Sequence, residues 1–164
     1  MANVIITLPR VLWWAIEKGP KMYEIRKRKP QVEIGKTKIY VVGKGTTKIL
    51  GYFTLDSFIQ SNDPYLLYKQ VGKKIWVDWQ WYNKYVQDHK GSIYAWKIRE
   101  VYKCEDTVDL EEYFGVKKNP QSYIYTNRDP FLHTRLVKIL DPERNCMVSP
   151  SIFRKEYRND DLPF

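Results

Sequence analysis

Lys38-Ile-Tyr-Val-Val42 and Ile49-Leu-Gly-Tyr-Phe-Thr-Leu-Asp-Ser-Phe-Ile59, joined by Gly43-Lys-Gly-Thr-Thr47, decide the fold. Both runs are rich in β-branched and aromatic residues, and the two glycines between them suit a hairpin turn. The turn is not a phosphate-cradling loop, because the G-x-x-x-x-G-K-[ST] spacing is absent. A third run, Ser92 to Lys103, alternates Ile93, Ala95, Lys97, Arg99 and Val101 with Tyr94, Trp96, Ile98, Glu100 and Tyr102, which predicts a central strand.

On the amino-terminal side, Val4-Ile-Ile-Thr7 predicts a short strand, and Pro9 opens a helix carrying Val11, Leu12, Ala15 and Ile16 on one side until Gly19-Pro20 stops it. From Met22 the chain is extended, with Tyr23, Ile25 and Lys27 alternating with Glu24, Arg26 and Arg28. Asp63-Pro64 starts two helical stretches, 63–71 and 75–88, interrupted at Gly72. In the second, Trp76, Trp79, Trp81, Tyr82 and Tyr85 spread too widely round a helix for one apolar stripe. Part of that set should face something other than the main core; most are packing residues, and one or two are candidates for base stacking. A short strand near 120–125 ends the organised domain, 1–127, and 128–164 is expected to pack on it as a small extension. Several strands, two helical insertions and little room for β-α-β crossovers argue for an α+β protein on a curved or barrel-like sheet.

The chain has 164 residues, 43% hydrophobic and 29% charged, a balance that excludes wholesale disorder and fits one domain. No apolar stretch is long enough for a spanning helix, and the amino terminus lacks the pattern of a secretory signal, so a cytoplasmic protein is expected. Cys104 and Cys146 have no C-x-x-C spacing, and His89 and His133 have no neighbour at ligand spacing. These patterns predict neither a metal nor another cofactor. The charge is informative in its distribution: of a net +9, residues 18–48 hold ten basic side chains against Glu24 and Glu33. Such a stripe captures polyanions, so nucleic acid is the expected partner and a merely solvated lysine face the bland alternative.

Gly19-Pro20-Lys21-Met22-Tyr23-Glu24-Ile25-Arg26 carries G-x-K-x-x-E-x-R, and here the chain resembles the ASCH domains of the PUA-like superfamily. Lys38-Ile-Tyr-Val-Val, Ile49-Leu-Gly-Tyr-Phe, Tyr94-Ala-Trp-Lys-Ile and Pro120-Gln-Ser-Tyr are similar, in order, to strand motifs of its prokaryotic and phage branch, over about residues 2–126. The resemblance implies a β-barrel of five to six strands flanked by helices, with a cleft beside the signature. It also implies binding of RNA or a modified nucleotide, with a regulatory role in some members, although no separate helix-turn-helix is visible here. Related domains hold a modified base between aromatic walls, which makes Trp79, Trp81, Tyr94 and Trp96 the base-pocket candidates. Lys21, Arg26, Arg28, Lys36 and Lys44 are the candidate nucleic-acid contacts.

Some ASCH proteins are amidohydrolases of acylated cytidine or ribonucleases, which is the alternative reading and leaves enzymatic activity open. There Lys21 and Glu24 would be catalytic. The hydrolase pattern, however, has threonine where this chain has Glu24, and a carboxylate serves as a general base rather than as that nucleophile. Two blander readings stand beside these. Glu24 and Arg26 could form a fixed ion pair that shapes the site without touching ligand, and the basic stripe could serve an acidic protein partner.

Overall fold

In the computed structural model, which describes residues 3–114, 123–126 and 146–149, the expected strands form one strongly bent sheet. The chain order is β1 (Val4–Leu8), α1 (Arg10–Lys18), β2 (Tyr23–Arg26), β3 (Ile39–Gly43), β4 (Lys48–Ser61), α2 (Pro64–Val71), a 3-10 turn (Gly72–Ile75), α3 (Trp79–Val86), β5 (Ile93–Asp109), α4 (Leu110–Phe114), β6 (Tyr123–Tyr125) and β7 (Cys146–Ser149). Across the sheet the order is β2-β5-β4-β3-β1-β6. Among the described residues only the β1/β3 pair is parallel. Along its second edge β5 pairs first with β2 and later with β7.

β4 and β5 are long enough to serve both halves of the sheet, and bulges bend them. Pairing shifts between Ile49 and Gly51, between Phe53 and Leu55, and between Leu55 and Ser57. Each extra residue sharpens the local twist. The alternation read in β5 therefore breaks: Phe53 pairs with Val101 and Leu55 with Ile98, so Arg99 and Glu100 together oppose Thr54. The Glu100 amide donates to Thr54 Oγ1 at 3.2 Å. The bulge lets Trp96, Ile98 and Val101 all join one core with Val4, Ile6, Val41, Phe53 and Leu55, closed by Leu12, Trp13 and Ile16 of α1. This is the α+β, barrel-like architecture the sequence implied, with six strands on its main path.

On the other face of the β2/β5 region, α2 and α3 cover Ile25, Ile93 and Ala95 with Leu67, Val71, Tyr82 and Val86. Both helices start on aspartate caps, Asp63 and Asp78, whose carboxylates accept the first free amides. α1 ends at Gly19, whose φ of 108° is a turn that glycine takes at no steric cost. No helix among the described residues is long and apolar enough to cross a membrane. The expected boundary at 127/128 lies outside the described residues, and of the extension only β7 is described.

Candidate functional site

The sheet turns the charged side of β2 inward. Ile25 must cover the α2/α3 cluster, and a period of two then sends Glu24 and Arg26 to the opposite face, the one that carries the main core. In register, Glu24 sits opposite Trp96 and Arg26 opposite Tyr94, and across β5 these face Phe58 and Gln60 of β4. Glu24 is buried and Arg26 partly so.

Lys21 enters the same group from the turn before β2. Its amide bonds to Ala15 O at 3.1 Å, and the following amide, Met22 N, donates to Lys74 O at 2.7 Å. The side chain, 2% exposed, donates from Nζ to Tyr23 O at 2.7 Å and Ile75 O at 2.6 Å. Glu24 Oε1 stands 3.6 Å away. The carbonyl that receives Lys21 immediately precedes Trp76, a non-glycine residue held at φ 61°. Left-handed backbone in a bulky residue is a strained state, and such states gather at functional sites.

Glu24 Oε1 accepts the Ile25 amide at 3.1 Å. Its second oxygen, Oε2, is buried, lies 3.7 Å from Arg26 Nη2 and has no hydrogen-bond partner among the described residues. Arg26 reaches across the open side of the curled sheet to Thr7 O of β1 at 3.4 Å, and its guanidinium lies 5.9 Å from the centre of the Trp96 ring. Trp96 meets Phe58 edge-on, and Lys29 Nζ stands 5.2 Å over Phe58.

Burial pushes the Lys21 ammonium below the ordinary lysine range; Glu24 opposes the shift and Arg26 adds to it. Burial also raises the Tyr85 hydroxyl, with Arg26 opposing and Glu24 adding to the rise, so Tyr85 stands within electrostatic reach of the group. The Lys21 shift has a consequence for stability. The unfolded chain binds that proton more tightly than the folded one, so the contribution of Lys21 grows as pH climbs through its folded pKa toward about 10.4, then levels off. Chemical denaturation from neutral to alkaline pH should show the stability gap between wild type and Lys21→Met widening. A gap that stays flat or narrows contradicts the assignment.

Lys21, Glu24, Arg26, Tyr94 and Trp96 are thus brought into one neighbourhood, and the other sequence candidates are not. Arg28 is exposed beyond the end of β2. Lys36 is exposed and paired to Glu33 at 2.7 Å, so part of its charge is already answered. Lys44 is exposed in the β3/β4 turn, its amide donating to Leu8 O at 2.8 Å. Trp79 and Trp81 sit on α3, which packs over the Ile25 side of the sheet, rather than beside Glu24. Lys21 is placed to organise the group from within rather than to meet a phosphate at the surface, and the wholly buried Trp96 is a floor under Arg26. Trp14, whose ring lies 6.3 Å from that of Trp76, the left-handed backbone of Trp76 and the Thr7 carbonyl were not among the sequence candidates. Backbone conformation and a contact across the sheet leave no periodic mark.

Comparison with solved structures shows that this bent sheet has the ASCH fold. The ASCH protein of Zymomonas mobilis aligns at TM-score 0.68 and 19% identity, covering 90% of this chain and 96% of that one. A serine-to-alanine variant of it aligns at 0.71 and 20% identity over 84% and 95% of the two chains. A tyrosine-to-phenylalanine variant gives 0.69 and 20% over 84% and 97%. No protein-family model and no curated protein sequence matches the chain.

Proposed function

We propose that this ASCH-fold protein binds single-stranded nucleic acid or its nucleotides, RNA ahead of DNA, at the Lys21–Glu24–Arg26 group. The observation that carries this reading is Glu24 Oε2, a buried carboxylate oxygen with no hydrogen-bond partner among the described residues. A buried acceptor without a hydrogen bond costs about 1–3 kcal/mol, part of it already offset here by the Arg26 guanidinium 3.7 Å away, and a ligand donor would recover the rest. The exocyclic amino group of a cytosine or adenine is such a donor. Lys21 holds the carboxylate in place, while partly exposed Arg26 offers a guanidinium to a base carbonyl or a phosphate. Lys27, Arg28 and Lys29 follow directly and supply positive charge for the rest of the strand.

Single-stranded RNA and DNA titrated at rising salt test the reading. Binding should weaken steeply with salt, and Arg26→Ala should weaken it about tenfold, the effect of a charge-assisted contact worth about 1.4 kcal/mol. Absence of binding at low salt, or salt-independent binding, contradicts the proposal. The hydrolytic alternative draws on the same oxygen, since a buried carboxylate beside a water could act as general base. Lys21 is less suited to attack, because its ammonium is already directed at two carbonyls. Incubation with N4-acetylcytidine and labelled RNA separates the readings: product that disappears in Glu24→Gln favours hydrolysis, and binding without product favours the binding module.

A further inference from the structure

The helices that cover the Ile25 side carry a feature this site does not use. Tyr65, Leu66, Trp79 and Trp81 are 52%, 57%, 38% and 49% exposed. Trp79 is held edge-on by Tyr65 and Tyr68, at 5.6 and 5.1 Å. Trp81 differs: it lies parallel to Tyr85 at 5.1 Å and 13°, a two-ring stack in which the tryptophan is half open to solvent.

That stack leads back to β2. Tyr85 carries Lys27 Nζ 4.5 Å over its ring, and its hydroxyl senses Arg26 and Glu24. The α2–α3 segment is cationic in sequence: Lys69, Lys73, Lys74 and Lys84 lie between residues 64 and 86, with Asp78 as the acidic side chain there and Asp88 just beyond. Asp78 and Asp63 are both turned to helix starts, accepting amides from Trp81 and from Tyr65 and Leu66. A flat ring with an open side, Lys84 one turn along α3 and Lys27 over the ring that backs it match a polyanion with flat faces, which is single-stranded nucleic acid.

We propose that Trp81, backed by Tyr85, stacks a second base of a bound single strand, while Lys27 and Lys84 meet its phosphates. The strand then runs round the β2 edge from the Glu24/Arg26 group to α3. This rests on the reading of the site given above and extends it from one nucleotide to a directed strand.

The test measures anisotropy of a labelled single-stranded RNA decanucleotide, and separately binding of a mononucleotide, with wild type, Trp81→Ala, Trp81→Phe and Glu24→Gln. One stacked base corresponds to about tenfold in affinity. Trp81→Ala should therefore weaken the decanucleotide about tenfold and leave the mononucleotide unchanged. Trp81→Phe, which keeps an aromatic face, should recover most of the loss, and Glu24→Gln should weaken both ligands. Unchanged melting temperatures exclude unfolding as the cause. If Trp81→Ala leaves the decanucleotide unaffected while Glu24→Gln weakens it, the stacking site is wrong and the reading of the Glu24 site survives. If neither ligand binds wild type, both fail. Trp81-dependent binding to anionic vesicles without binding to the oligonucleotide also overturns the proposal, in favour of a lipid surface.

Discussion

Lys21→Met should destabilise the fold by about 3 kcal/mol, read as a shift of the urea midpoint, with a fall in melting temperature of about 9 °C. The aliphatic stem is replaced without loss of volume, so the effect isolates the ammonium. Without it, Tyr23 O and Ile75 O lose a donor, and Glu24 loses the cation 3.6 Å from Oε1. Removing one partner of a buried pair costs about 3–5 kcal/mol, because the charge left behind stays out of water. Two features keep the effect at the lower end. Arg26 still faces Glu24 Oε2, and the buried ammonium itself carries a desolvation penalty, visible in its lowered pKa. A loss below about 1 kcal/mol would mean that Lys21 does not tie the β2 entry to the 3-10 turn.

Gly51→Ala should cost as much, about 3 kcal/mol or more, without touching the site chemistry. Gly51 lies in β4 where the pairing with β5 shifts. A Cβ there would clash with Tyr102 O and stand only 2.6 Å from the Trp13 ring. The first neighbour is backbone, so no rotamer change relieves it. Either the β4/β5 pair opens or α1 lifts off the sheet, and both loosen the core that supports β2. Circular dichroism melts check this; an alanine variant that melts with wild type would show that the strands are not so closely packed at this point.

The elements that were legible in the sequence owe their signal to local rules. The β3/β4 hairpin announced itself through glycines between two apolar runs, α2 through Asp63-Pro64, and the G-x-K-x-x-E-x-R stretch marked the group that the fold then gathers. Alternation along Tyr23 to Arg28 correctly put Glu24 and Arg26 on one face. It could not say that this face looks inward, because that is decided by Ile25 packing on helices some forty to sixty residues further on. The Arg99/Glu100 bulge was hidden for a related reason: a bulge is a mismatch between two strands, and either strand alone reads as regular. The tryptophans were hardest to sort. Composition gives every tryptophan the same claim to a base, and only tertiary placement separates buried Trp96, left-handed Trp76 and open Trp81.

On the proposed reading, Glu24 Oε2 receives a hydrogen bond from the amino group of a base. The most direct measurement is a titration of cytidine, adenosine and uridine monophosphates, followed by intrinsic tryptophan fluorescence, on wild type and Glu24→Gln. The two amino-bearing bases should bind more tightly than uridine, and this preference should shrink when the carboxylate becomes an amide. Equal binding of all three, or an unchanged preference in Glu24→Gln, would contradict it.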